Sequence, residues 1–274
     1  MSKTIQKLEL PGIIEIVAVA SGKGGVGKST VAANLAIALA NSGHNVGLLD
    51  ADIYGPSQCH MMGVSEIKPE LRGKQLMPVT AHGVKCMSMG FLMSLNTPAI
   101  WRGPMASGAL QQLLMDTEWG DLDILLIDMP PGTGDIQLTL SQRVPLSGAV
   151  IVTTPQDIAL LDARKAMEMF TKVEVPTLGI IENMSTHICC NCGHEEAIFG
   201  SNGGEHVALE YETEVLAQLP LALSIRQQSD RGIPIVVSDP DSKISKSLCF
   251  AARKLMCLLA GLVSSDPEID IIDD

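Results

Sequence analysis

The sequence predicts a doubly wound α/β fold, a mostly parallel sheet flanked by helices, and three observations carry that prediction. Short apolar runs of strand length recur along the chain and alternate with helix-like patterns. Several of these runs end in an aspartate or enter a glycine-rich loop, as strands do where a parallel sheet meets its ligands. Aromatic residues make up only 3% of a chain that is 46% hydrophobic. The core must therefore be built from Val, Ile, Leu, Met and Ala, which suits helices packed on strands that are apolar throughout.

The elements follow in order. The run from Ile13 to Ala20 reads as a buried strand, and a helix is expected to start near Lys28 and to stop at "NSGHN". "VGLLD" at 46–50 is a second buried strand, followed by a loop rich in Gly and Pro to about Pro78. "VKCMSMGFL" at 84–92 contains a further strand, and a helix is expected over Met105 to Met115. "DILLID" at 123–128 is the third clear buried strand, and it ends in "MPPGTGD", which cannot be regular structure. Then come a strand at 148–154, a helix at 158–170, a strand at 177–183, a cysteine segment, a short helix and a short strand at 215–219. The last helix, about 242–262, sets Lys243, Lys246, Arg253 and Lys254 on one side and Ile244, Leu248, Leu255, Leu259 and Leu262 on the other. It is expected to cover the sheet.

Composition narrows the function classes. A formal net charge of -12 repels phosphate backbones and anionic membranes, so neither nucleic acid nor a membrane is expected as partner. "MSKTIQKLEL" lacks the apolar core of a signal peptide, and no run is long enough to cross a bilayer. The chain reads as cytoplasmic, and its seven cysteines are expected to be reduced and available for metal or redox chemistry.

"SGKGGVGKST" at 21–30 holds the most specific signal. Gly22 to Ser29 satisfies G-x-x-x-x-G-K-[ST] between a strand and a helix, the setting of a phosphate-binding loop. Gly22, Gly24, Gly25 and Gly27, with Val26 among them, let backbone N–H groups turn onto phosphates at a helix N-terminus. Lys28 is expected to reach the β- and γ-phosphates, Ser29 to bind Mg²⁺, and Thr30 to add a phosphate contact. Asp128, Asp50 and Asp52 each follow an apolar strand, so three carboxylates converge where a metal–phosphate site needs them. No N-K-x-D sequence is present, which favours ATP over GTP.

The motif has a second lysine, Lys23, directly after the first glycine. "GKGGVGKST" with this early lysine resembles the deviant Walker A motif of the MinD/ParA class of ATPases. The resemblance implies that Lys23 crosses a dimer interface to the partner's nucleotide, so that Lys23, Lys28 and Asp52 are catalytic, Asp52 orienting the attacking water. It also implies that Asn183 reads adenine.

"ENMSTHICCNCGHEEAIFG" at 182–200 carries the second informative pattern. Cys189 and Cys192 form a C-x-x-C, whose spacing lets two thiolates meet one metal centre. Three readings stand beside one another: a plain thiol pair, a mononuclear zinc site with His187 and His194, and half of a site completed by a second chain. Cys59, Cys86, Cys249 and Cys257 are scattered and read mostly as core.

Taken together, the early-lysine loop, "LLDADIYGPS", "WRGPM" at 101–105, "LLIDMPPGTGD" and "ENMS…C-x-x-CG…IFG" resemble the Mrp/ApbC family of iron–sulfur cluster carrier ATPases over about residues 14–240. That resemblance implies slow Mg²⁺-dependent ATP hydrolysis, a homodimer, and a [4Fe–4S] cluster held between subunits by Cys189 and Cys192 for delivery to apo-proteins. The sequence departs from the family by carrying Cys190 where a proline is frequent, and by having only about a dozen residues before its first expected strand where many relatives have a small N-terminal domain. The expected organisation is a short arm at 1–12, one P-loop ATPase domain at 13–263 carrying the cysteine segment at 186–200, and a disordered acidic tail at 264–274. Arg102 in "WRGP" is expected to serve mainly structure.

Overall fold

The computed structural model describes residues 6–91 and 103–263. Arg102 and the acidic tail lie outside them, as do Leu92 at the end of "VKCMSMGFL" and the side chain of Leu262.

The chain opens with β1 (Ile13–Ala20), α1 (Lys28–Asn41), β2 (Val46–Asp50) and a one-turn α2 (Gln58–Met61). A small two-stranded ribbon, β3 (Leu71–Arg72) and β4 (Gln75–Leu76), precedes β5 (Val79–Ala81), β6 (Val84–Ser88) and α3 (Gly103–Asp116). Then follow β7 (Leu122–Asp128), α4 (Asp135–Arg143), β8 (Gly148–Thr153), α5 (Asp157–Lys172), β9 (Thr177–Ile188) and β10 (Glu195–Glu196). The chain closes with α6 (Gly203–Glu210), β11 (Val215–Leu221), α7 (Leu223–Asp230), α8 (Ile235–Ser238) and α9 (Lys243–Val263).

The main sheet runs β10-β9-β8-β1-β7-β2-β6-β5, with β11 also pairing β9. The ladders β2–β6, β2–β7, β7–β1, β1–β8, β8–β9 and β9–β11 are parallel, while β5 and β10 pair antiparallel with their neighbours. Central strands are buried on both faces, and so read as unbroken apolar runs: β2, the inner five residues of β1 and all of β8 are closed to solvent. α1 is buried nearly all round from Val31 to Leu39, because it lies between the sheet and α8 and α9. α9 covers the sheet as expected, with Ile244, Leu248, Leu255 and Leu259 all buried.

Several features differ from the sequence reading, among them α2 and the β3–β4 ribbon inside the stretch read as a loop. β9 does not stop at residue 183 but runs to Ile188, through a kink where Met184 takes a positive φ of 56°. Its outer end pairs with β10, so the cysteine segment is a hairpin. α4, α7 and α8, short and mostly polar or interrupted, were not expected from periodicity.

Register places the chemistry. Asp50 of β2 pairs with Asp128 of β7 on one side and Ser88 of β6 on the other. Three polar residues therefore form a row across the carboxyl end of the sheet, beside the loop that follows β1.

Candidate nucleotide cleft and cysteine hairpin

The loop from Gly22 to Gly27 leaves β1 and enters α1 through Gly27, which has a φ of 83°. A side chain there would be strained and would meet the amide of Asn183. At Gly22 a Cβ would fall inside the Asp162 carbonyl of α5, so only glycine lets the loop pass this helix. The loop borders a cleft of ≈ 200 Å³ whose walls include Lys23, Lys28, Ser29, Thr30, Asp52 and Pro131. Pro131 belongs to "MPPGTGD", which folds over the loop and is tied to it by the Gly132 N–H donating to the Ser21 carbonyl at 2.9 Å.

Lys28 is buried and its ammonium pairs with Asp128, which is fully buried. It also approaches Ser29 Oγ at 3.3 Å. The cation thus rests on the carboxylate expected to face a metal. Lys23 is exposed, and its ammonium has no carboxylate partner among the described residues.

The two aspartates of "DAD" divide their work. Asp50 is fully buried and anchors the following loop: its oxygens accept from the N–H groups of Asp52, Ser57 and Gln58 and from Ser88 Oγ at 3.0–3.1 Å. Burial, and then the charge of Asp128, push its carboxyl up to about 7. Asp52 lines the cleft. One of its oxygens accepts from the N–H groups of Tyr54 and Gly55 at 3.2 Å, and the other has no hydrogen bond among the described residues. Sequence spacing did not single out Gln58, whose side-chain amide donates to the Ser29 carbonyl at 2.9 Å and to Asp128 Oδ2 at 2.8 Å.

Asn183 is buried on β9, and its amide donates to the Val26 carbonyl at 2.8 Å. It therefore braces the phosphate loop from behind, and it does not line the cleft. Its neighbour Glu182 accepts from the Gly204 N–H at 2.5 Å and from Gln218 Nε2 at 3.3 Å, tying β9 to α6 and β11. Burial holds the Glu182 carboxyl above its usual 4.5. The native state therefore keeps this proton at pH values where the unfolded chain has lost it, and stability falls as pH rises through that interval. A Glu182→Gln variant still offers an oxygen to Gly204, and Gln218 can turn to accept from the new amide. Urea unfolding of both proteins at a series of pH values upward from 4.5 is expected to show a flatter stability profile in the variant.

The cysteines sit at the tip of the β9–β10 hairpin. The Cys189 N–H donates to the His194 carbonyl, and the Gly193 N–H to the Cys189 carbonyl, both at 2.9 Å. Gly193, with a φ of 72°, makes the turn possible. The N–H groups of Cys192 and Asn191 point at the Cys189 sulfur and lower its pKa, which favours the thiolate a metal needs. Cys190, Cys192 and His194 are exposed, and Cys189 is half-buried. Among the described residues, no group of three or more His, Cys, Asp or Glu is placed to hold a metal ion. His187 and His194 are therefore not assembled with the two cysteines into a mononuclear site. Burial pushes the thiols of Cys59 and Cys86 up to about 11 and about 12, which makes them inert. Cys257, expected in the core, is exposed, because it lies on the outer side of α9.

Residues 12–256 match the family model described as ParA: NUBPL iron-transfer P-loop NTPase. The chain belongs to the NUBPL iron-transfer P-loop NTPase family. A Pseudomonas fragi protein named iron–sulfur cluster carrier protein is 62% identical over 86% of this chain and 84% of that protein. A protein of the same name from Escherichia coli K12 is 56% identical over 85% of this chain, which spans 64% of the longer relative. Among solved structures, the nucleotide-binding protein of Archaeoglobus fulgidus in complex with ADP superposes with a TM-score of 0.74 at 39% identity, covering 84% of this chain and 90% of that one. Membership of the NUBPL family makes the cleft an NTPase site on an α/β P-loop frame.

Proposed function

We propose that this chain is an ATP-binding and ATP-hydrolysing carrier of an iron–sulfur cluster, whose cargo is a [4Fe–4S] cluster bridged between two copies and passed to apo-proteins. One observation carries the reading: two cysteines share a hairpin tip, and no group of three or more metal-binding side chains is placed there among the described residues. Two thiolates do not complete a cluster's ligand set, whereas a second copy related by a two-fold axis supplies the other two.

At the nucleotide end, the residues fit Mg²⁺–ATP. Ser29 offers a hydroxyl, and Asp128 a buried carboxylate already held by Gln58, which is a hard-oxygen set of the kind Mg²⁺ takes. Bound there, the ion would neutralise phosphate charge. Lys28 leaves Asp128 for the β- and γ-phosphates, and the loop amides cradle them. Asp52, with one oxygen uncommitted, orients the attacking water. The exposed Lys23, without a carboxylate partner among the described residues, would reach a partner's phosphates, and Asn183 fixes the loop from behind. β9 physically joins the two ends, running from Asn183 behind the loop to Ile188 beside the tip, a span of roughly 17 Å at strand rise.

A rival reading, an ATP-controlled switch that attaches to membrane or DNA, leaves the thiol pair and the charge of -12 without a role. Cluster-loaded protein mixed with the apo form of a [4Fe–4S] enzyme is expected to restore that enzyme's activity faster than free iron and sulfide do. Restoration no faster than with free iron and sulfide contradicts a carrier.

A further inference from the structure

We propose that Gln58 is a positioning residue for the metal side of the nucleotide site, an inference that rests on the Mg²⁺–nucleotide reading above. Gln58 is almost wholly buried at the start of α2, far in sequence from both groups it binds. Its Nε2 donates to the Ser29 carbonyl at 2.9 Å and to Asp128 Oδ2 at 2.8 Å. Both partners only accept, so the amide orientation is fixed: turned over, it would set oxygen against two oxygens. Its Oε1 is then left buried with no partner, one of two such side-chain atoms among the described residues, the other being Thr154 Oγ1.

A buried carbonyl oxygen without a protein donor is costly, and a water or ion bound beside it relieves that cost. Gln58 touches the two residues on which a bound Mg²⁺ would depend, Ser29 through its backbone and Asp128 through its carboxylate. Mg²⁺ retains several waters, and such waters are strong donors. The geometry thus gives Gln58 two tasks. It holds Asp128 in place when Lys28 departs for the phosphates. Its unpartnered Oε1 would also be available to a donor brought by a bound metal's water shell. Glutamine does both because it carries a donor and an acceptor on one rigid amide.

The test compares the full-length parent with Gln58→Met, which keeps the unbranched shape and removes both polar atoms. ADP affinity is measured by fluorescence titration with a labelled ADP, once in excess Mg²⁺ and once in EDTA. The parent is expected to bind more tightly with Mg²⁺. In the variant that Mg²⁺-dependent gain is expected to shrink by about tenfold, as for loss of a hydrogen bond to a charged centre, with affinity in EDTA unchanged. Gln58→Asn, which keeps the amide but draws it back by one methylene, is expected to show the same split, and it serves if the methionine variant does not fold. An equal loss with and without Mg²⁺, or no loss, overturns the inference. A parent whose ADP affinity ignores Mg²⁺ overturns the underlying reading as well, so the two failures are distinguishable.

Discussion

A Lys28→Ala variant is expected to lose nucleotide affinity by about 10- to 100-fold, the range for removing a charged hydrogen-bond donor from phosphate. Its nucleotide-free form is expected to lose stability too. Lys28 pairs with Asp128 in the buried row that also holds Asp50, and both carboxylates are closed to solvent. Removing the cation leaves two neighbouring buried carboxyls with no counter-charge, and breaking a buried pair in this way costs about 3–5 kcal/mol. Calorimetric titration with ATP and urea unfolding without nucleotide check the two effects separately. Unchanged ATP affinity would remove Lys28 from the phosphate site, and unchanged stability would mean that the ion pair contributes nothing net.

Cys189→Ala and Cys192→Ala are each expected to abolish cluster binding while leaving the fold intact. The fold should survive because the hairpin tip stands clear of the core: Cys190 to Glu196 are exposed, and the loop is closed by backbone hydrogen bonds that do not use the thiols. Each substitution removes two of the four ligands of a two-fold site, one from each copy. Cys190→Ala, by contrast, is expected to retain the cluster, since the backbone N–H groups are turned onto Cys189. Visible absorption and bound iron and sulfide after anaerobic reconstitution read all three variants. A cluster retained in Cys189→Ala at the parent's stoichiometry would contradict the ligand assignment.

How much of this was legible in the sequence depends on where each residue's partners lie. The central strands were, because β2, β7 and β8 are buried on both faces and so spell continuous apolar runs. The phosphate loop was legible because its spacing is local and its glycines answer local demands. The outer half of β9 was not. Its residues 184–188 are only half-buried, its kink falls at Met184, and its partner β10 is two residues long, so nothing periodic marks it. Strand-end position alone marked Asp50 and Asp52 alike, and only the resemblance favoured Asp52; the structure separates them, giving Asp50 four donors and leaving one Asp52 oxygen at the cleft without a hydrogen bond among the described residues. Gln58 was invisible for a similar reason. Its partners lie 29 and 70 residues away, and only the folded sheet brings them together. The thiol pair was legible as a pair, but its failure to recruit His187 and His194 required the hairpin geometry.

The central claim is that two copies of this chain share one cluster. Protein purified without oxygen and reconstituted with iron and sulfide is measured for iron, sulfide and zinc, with its mass in solution determined on the same sample. The account predicts a dimer holding about four irons and four sulfides, with no zinc. Zinc at one ion per chain, or a cluster held by a monomer, would contradict it.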